Sequence, residues 1–150
     1  EMCIRDSFDF KIKTSRLVFL SDYAHHPAEI AQSVKSVREL YKDKKITAIF
    51  QPHLYTRTRD FYKDFADSLS LLDEVILTEI YPAREQPIPG VSSRLIYDNL
   101  RPGIEKCICP KEDILNLLSK KSVEVLIVLG AGDLDNYVPS ITQLLEQQSK

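Results

Sequence analysis

The chain has 150 residues, of which 43% are hydrophobic and 28% charged, a composition typical of one folded domain. Its formal net charge of −2 removes the usual electrostatic basis for non-specific nucleic-acid binding, and its apolar runs are too short to span a bilayer. We therefore expect neither a nucleic-acid partner nor a membrane partner. Cys107 and Cys109 are expected to be reduced structural thiols of a cytoplasmic protein.

Strand-like and helix-like segments alternate along the chain. Residues 17–20 form a short apolar run, after which Ile30, Val34 and Val37 recur at the spacing of one helical face. The later predicted elements are a strand at 46–50, a helix marked by Phe61, Phe65, Leu69 and Leu72, a strand at 74–80, a short helix at 91–99, a weak strand at 105–109, a helix at 110–118, a strand at 123–129 and a last helix marked by Leu134, Val138, Ile141 and Leu145. This order predicts an α/β fold with a mostly parallel sheet flanked by helices.

Parallel sheets bind ligands at the carboxyl ends of their strands, which directs attention first to the loop at 22–27. The carboxylate of Asp22 can accept hydrogen bonds from ribose hydroxyls, and Tyr23 offers a flat ring to a base or sugar. Alternatively, Asp22 and the histidines His25 and His26 simply cap the following helix. Paired histidines also suit a metal ion, but no further strand-end carboxylate accompanies them, so no metal ligand is assigned.

Two further loops follow strands at the same predicted edge. In the loop at 51–59, His53 precedes Arg57 and Arg59, whose planar guanidinium groups match a carboxylate or phosphate; a solvated helix-capping turn is the alternative. The loop at 130–133 resembles half of a dinucleotide fingerprint and supports only tight strand-to-helix packing with a close ligand approach. The proline-rich segment at 82–90 is interpreted as a packed surface loop or a wall of the site.

Together these segments resemble the C-terminal domain of the Mur ligase family. The matching stretches are residues 22–30, 50–60, 81–90 and 129–133. The resemblance implies a Rossmann-like three-layer domain over residues 8–150, while residues 1–7 match nothing in the family and are expected to be foreign or disordered. Family members also have an N-terminal UDP-sugar domain and a central ATPase domain with a P-loop. This chain has no P-loop motif, so it is expected to be the third domain alone, inactive by itself.

The resemblance is to the members that join L-alanine to UDP-N-acetylmuramate during peptidoglycan precursor synthesis in the cytoplasm. It implies ATP and Mg²⁺, held mainly by the central domain, and an acyl phosphate that the alanine amine attacks. It places Asp22 and Tyr23 at the ribose and adenine of ATP. No residue is assigned to catalysis itself. The implied substrate-binding residues are His25, which positions the amine, Arg57, which binds the alanine carboxylate, and His26, His53 and Arg59.

Leu54 departs from the family pattern, because many relatives carry a second arginine there. Two alternatives stay open. One is the C-terminal domain of the related ligase that recycles a murein tripeptide, which has a similar loop; Tyr23 and the intact segment at 82–90 favour the alanine-adding enzyme. The other is a non-catalytic Rossmann-like binding module.

Overall fold

A computed structural model describes residues 9–130 and 132–148; the expectation for residues 1–7 lies outside these ranges. The strands are β1 (Asp9–Lys13), β2 (Val18–Asp22), β3 (Ile46–Phe50), β4 (Glu74–Leu77), β5 (Glu105–Ile108) and β6 (Val125–Leu129). The helices are α1 (Pro27–Leu40), α2 (Tyr55–Leu69), α3 (Arg94–Asp98), α4 (Ile114–Ser119) and α5 (Val138–Gln148), with 3₁₀ turns at Lys111–Asp113 and Asp133–Tyr137. Within the described ranges, no helix is long and apolar enough to cross a bilayer.

The strands form one sheet in the order β1-β2-β6-β3-β4-β5. The neighbours from β2 to β5 are all parallel, which confirms the predicted α/β class. β1 is an exception that the sequence analysis did not predict: it pairs antiparallel with β2 at the edge of the sheet. Its residues alternate between exposed and half-buried, the pattern of an edge strand with one face on the protein.

Alternate residues of the central strands face opposite sides of the sheet and build two separate cores. Phe50, on one face of β3, packs with α1, α2 and α3, whereas its neighbour Ile49 packs on the other face with α4 and α5. Both side chains are fully buried. Because the side chains of a strand alternate in direction, strands buried at every position need helices on both faces. The result is the three-layer arrangement that the resemblance implied.

Several predicted elements differ in extent from the structure. The third predicted strand ends at Leu77 because the chain then turns across the end of β3, where Tyr81 pairs with His53. Leu72 is buried but lies beyond the end of α2, and Phe61 is 41% exposed rather than on the helix's buried face. The last predicted helix begins as the 3₁₀ turn that contains the buried Leu134.

The strand order brings three chain segments together at one edge. The chain passes from β2 to β3, β4 and β5, and then returns to place β6 between β2 and β3. Backbone hydrogen bonds continue beyond the strands: the amide of Gly130 donates to Asp22 at 3.2 Å, and the amide of Gln51 donates to Leu129 at 3.1 Å. The loops after β2, β3 and β6 therefore meet where the strand order reverses, the usual place for a ligand in such sheets.

Candidate functional site

Asp22 is the last residue of β2, and its side chain is held by the loop before α1 and by α1 itself. One carboxylate oxygen accepts the amide of Ala24 at 3.0 Å, and the other accepts the hydroxyl of Ser33. Burial raises the pKa of Asp22, an effect that these two hydrogen bonds oppose. Asp22 is thus fixed in position, and it lines an open cleft.

The β2 cleft, as we call it, has a volume of about 730 Å³, within the range of small-molecule sites. Its walls include Lys11, Asp22, Tyr23, Ser33 and Asp135. Tyr23 is 63% exposed, and its hydroxyl donates to Asp135 at 3.1 Å, which raises the pKa of the tyrosine. A broad aromatic ring thus stands beside a buried carboxylate, an arrangement able to bind a flat ring and a sugar hydroxyl.

The two adjacent histidines lie at the N-terminus of α1, where His26 is the N-cap residue and Glu29 is its partner in a capping box. Its Oε1 atom accepts the backbone amides of His25 and His26, each at 3.2 Å. Desolvation raises the pKa of Glu29, but these amides and the two histidine rings lower it, and the overall shift is downward. His25 is half-buried, and its Nδ1 lies 2.9 Å from the carbonyl oxygen of Tyr23. The expected helix cap is therefore present as a capping box: the side chain of His26 faces the backbone amide of Glu29, and the carboxylate of Glu29 accepts the amide of His26 in return.

The second histidine-bearing loop reaches the same place from β3. The rings of His25 and His53 meet edge to face with their centroids 5.5 Å apart, and His53 stacks on Tyr81 at 5.7 Å. Arg57 Nη1 lies 3.0 Å from His53 Nδ1. Desolvation and the adjacent guanidinium lower the pKa of His53, which favours the neutral ring. A cation and two imidazoles are thus gathered beside the β2 cleft.

Glu85, a residue of the proline-rich loop, accepts hydrogen bonds from the first turn of α2. Glu85 Oε1 accepts the amides of Tyr55 at 2.5 Å and Thr56 at 3.1 Å, while Oε2 accepts the hydroxyl of Thr56 at 2.5 Å. These bonds occupy amides that a helix N-terminus leaves unpaired, next to its positive dipole end. Leu54 precedes the helix with a φ of 73°, and its amide donates to Tyr81 at 2.8 Å. The proline-rich loop is therefore a wall of the site.

Replacing Glu85 with glutamine should destabilise the fold at neutral pH and make its stability less dependent on pH. The hydrogen bonds from Thr56 lower the pKa of Glu85 below its ordinary value of 4.5. A carboxylate with a lowered pKa stabilises the fold above its unfolded-state value, and this contribution is lost as the pH falls through the folded-state value. Urea midpoints measured from pH 7 to pH 3 test this. Glu124→Gln, an exposed change of the same charge, is the control; equal pH profiles for both variants would contradict the capping role.

Arg59 and the glycine-containing loop at 130–133 have surroundings different from those of the residues above. The guanidinium of Arg59 is exposed and pairs with Asp60, with Nε 2.9 Å from Oδ1. A Cβ on Gly132 would overlap the side-chain oxygen of Gln51, which accepts the amide of Leu134 at 3.0 Å. The loop thus packs tightly, as predicted, against protein atoms; Ala131 lies outside the described residues.

Six of the seven predicted site residues are linked by ring contacts, a hydrogen bond and a shared cleft: Asp22, Tyr23, His25, His26, His53 and Arg57. The seventh, Arg59, pairs with Asp60 and interacts electrostatically with Glu85. The sequence analysis missed Glu29, Tyr81 and Glu85. Glu29 was detectable, because an acidic residue in the first turn of a helix is a recognised capping signal. The contacts of Tyr81 and Glu85 span about 30 residues of chain and left no local signal.

The sequence of this domain matches a known protein family. The family described as "Mur ligase, glutamate ligase domain" matches residues 9–134, which is most of the chain. The chain belongs to the Mur ligase family. This confirms the resemblance found in the sequence and the type of domain that it implied.

Individual Mur ligases agree with this assignment. A UDP-N-acetylmuramate–L-alanine ligase from Phocaeicola vulgatus is 76% identical over 141 residues, covering 94% of this chain and 31% of the relative. An enzyme of the same name from Parabacteroides distasonis is 55% identical, over 96% of this chain and 31% of its own length. The crystal structure of UDP-N-acetylmuramate–alanine ligase from Thermotoga maritima superposes with a TM-score of 0.70 at 29% identity, over 97% of this chain and 30% of that one. The chain thus spans about a third of the length of the relatives it matches.

The Mg²⁺ ion that the resemblance implied does not fit the described residues. The group of three candidate ligands found among them is His25, His26 and Glu29, which offers two nitrogen donors. Mg²⁺ prefers oxygen ligands in an octahedral arrangement. We therefore assign no step of the chemistry on this domain to Mg²⁺.

Proposed function

We propose that this chain is the amino-acid- and ATP-ribose-binding domain of an ATP-dependent ligase. The ligase joins L-alanine to UDP-N-acetylmuramate in the cytoplasm, as a step of peptidoglycan precursor synthesis. The observation that carries the proposal is the contact between Arg57 and His53, with the ring of His25 against that of His53 and lining the β2 cleft. The name of the 76% identical relative supports the choice of substrates.

The alanine carboxylate is the group that Arg57 would bind. One guanidinium nitrogen donates to His53, which orients the side chain and leaves further N–H groups for a carboxylate. Charge-assisted hydrogen bonds from a fixed guanidinium are among the stronger polar contacts in proteins. Arg59 remains a proposed second contact, which requires its side chain to leave Asp60.

The alanine amine must be neutral to attack an acyl phosphate, and His25 is placed to help. A carbonyl oxygen only accepts, so Nδ1 of His25 must donate to Tyr23, and the neutral ring presents Nε2 as an acceptor. That atom can take a hydrogen bond or a proton from the amine and so hold it in position. Positioning is the main contribution proposed for this domain, since correct alignment of two reactants is worth about 7–11 kcal/mol of the barrier. His26 stands beside His25 with its ring centroid 4.6 Å away.

ATP would be shared between this domain and the rest of the enzyme. The ring of Tyr23 and the fixed carboxylate of Asp22 form a suitable surface for adenine and ribose in the β2 cleft. The phosphates and Mg²⁺ are assigned to a central domain, so catalysis requires the domains to close on one another. The isolated chain should therefore show no ligation.

A hybrid ligase tests the proposal. In it, this chain replaces the matching segment of the Phocaeicola vulgatus relative, to which it is 76% identical over 141 residues. We expect release of phosphate from ATP that depends on both UDP-N-acetylmuramate and L-alanine. Neither the chain alone nor the relative without this segment should react. Turnover by the chain alone, or a hybrid that uses a tripeptide in preference to L-alanine, would contradict the proposal.

A further inference from the structure

All three histidines of the chain lie at one edge of the sheet. Among the described residues, His25, His26 and Glu29 offer one ligand atom each, and these atoms lie within 4.8 Å of one another. The sequence analysis assigned no metal ligand here because no second strand-end carboxylate accompanied the histidines. The fold supplies the carboxylate from the first turn of α1 instead.

The hydrogen bond of His25 prepares its ring for a metal. Nδ1 donates to the carbonyl oxygen of Tyr23 at 2.9 Å, so the lone pair of the neutral ring is on Nε2. Metal-binding histidines nearly always donate their other N–H to a carbonyl or carboxylate, because this fixes the tautomer and the orientation of the ring. His25 already has this arrangement.

His53 is excluded from the same site by its own partner. Arginine only donates, so the contact of Arg57 with Nδ1 at 3.0 Å makes that nitrogen an acceptor and places the ring proton on Nε2. His53 therefore has no free lone pair to offer, and the guanidinium beside it repels a cation.

Glu29 can cap α1 and bind a metal at the same time. Its Oε1 accepts the amides of His25 and His26, and no described residue donates a hydrogen bond to Oε2. Glu29 and His26 are exposed, so both can rotate, and His26 must then leave the backbone amide of Glu29 that its side chain faces in the capping box. Rotation is needed, since the ligands of a tetrahedral zinc ion lie about 3.3 Å apart when the bonds are 2.0–2.1 Å long.

We propose that His25, His26 and Glu29 form a binding site for a transition-metal dication of the Zn²⁺ type. Two imidazoles and one carboxylate are a common donor set for zinc with an open fourth position, and they suit it better than Mg²⁺. The proposal of a metal site does not depend on the proposed function. If both hold, a bound metal occupies His25 and prevents it from positioning the alanine amine.

The test is calorimetric titration of the tag-free chain with ZnCl₂, repeated with MgCl₂. We expect one Zn²⁺ per chain and no heat from Mg²⁺. Glu29→Gln keeps an oxygen for the two amides but removes the charge, and it should weaken Zn²⁺ binding about tenfold or more, as should His25→Gln and His26→Gln. The controls Glu39→Gln, exposed near the end of the same helix, and His53→Gln should leave the affinity unchanged.

The visible spectrum of bound Co²⁺ shows whether a metal binds at this site or at the cysteines. Co²⁺ held by nitrogen and oxygen gives weak visible bands, whereas thiolate ligands add an intense charge-transfer band. We expect the weak bands alone, and their loss in Glu29→Gln. A thiolate band, an affinity insensitive to all three ligand variants, or no Zn²⁺ binding would each overturn the metal site. None of these results bears on the alanine-dependent reaction of the hybrid ligase, so the two proposals fail separately.

Discussion

Replacing Arg57 with alanine in the hybrid ligase should raise the Michaelis constant for L-alanine about 10- to 100-fold, because hydrogen bonds to a charged group are worth about 1.5–3 kcal/mol. The Michaelis constant for ATP should stay nearly the same, since the β2 cleft lies on the other side of His25. Steady-state kinetics with each substrate varied in turn measures both constants. Arg57→Lys should recover only part of the loss, because lysine keeps the charge without the planar fork.

Arg16→Ala is the matched control for Arg57→Ala. Arg16 is exposed just before β2, at the amino ends of the parallel strands and so at the opposite end of the sheet from the proposed site. The control should leave both Michaelis constants unchanged. An effect of Arg57→Ala on ATP alone, or equal effects of the two variants, would contradict the role proposed for Arg57.

Replacing Gly132 with alanine should destabilise the fold by about 2–3 kcal/mol, the upper part of the range for overpacked sites. The added Cβ would lie 2.8 Å from the Cβ of Tyr81 and would overlap the side-chain oxygen of Gln51. Gln51 is buried and also donates to Asp133 at 2.8 Å, so it has little room to move. Chemical denaturation measures the change in the free energy of unfolding.

Gly90→Ala is the control that distinguishes the effect of this overlap on stability from the effect of backbone strain. Gly132 has a φ of −94°, which any residue adopts, so its substitution tests packing alone. Gly90 has a φ of 81° and open space around it, so alanine there should cost only about 1 kcal/mol for the left-handed conformation. The Gly132 variant should also shift the imidazole NMR signals of His53, which stacks on Tyr81, whereas Gly90→Ala should not. Equal losses with no change at His53 would contradict the packing argument.

The sequence by itself determined the fold class and the residues that carry the proposed chemistry. The alternation of strands with helices along the chain predicted a mostly parallel sheet flanked by helices. β3 and β6 are buried at every position, as strands covered on both faces must be. The rule that parallel sheets bind at their carboxyl ends then selected the loops containing His25 and Arg57 before any contact was known. These features are local, so a short window of residues is enough to reveal them.

Only the tertiary structure decided which of these groups meet. The placement of β6 between β2 and β3 puts Asp22 and Gln51 on either side of the end of β6. The edge strand β1 is stabilised by pairing with β2 rather than by its own short, charged sequence. The anchoring of α2 by Glu85 depends on a contact 30 residues along the chain. The different surroundings of Arg57 and Arg59, two positions apart in the sequence, follow from the direction in which α2 presents each one. Such contacts depend on the path of the whole chain, because a side chain's partners are set by what packs against its element and not by its neighbours in sequence.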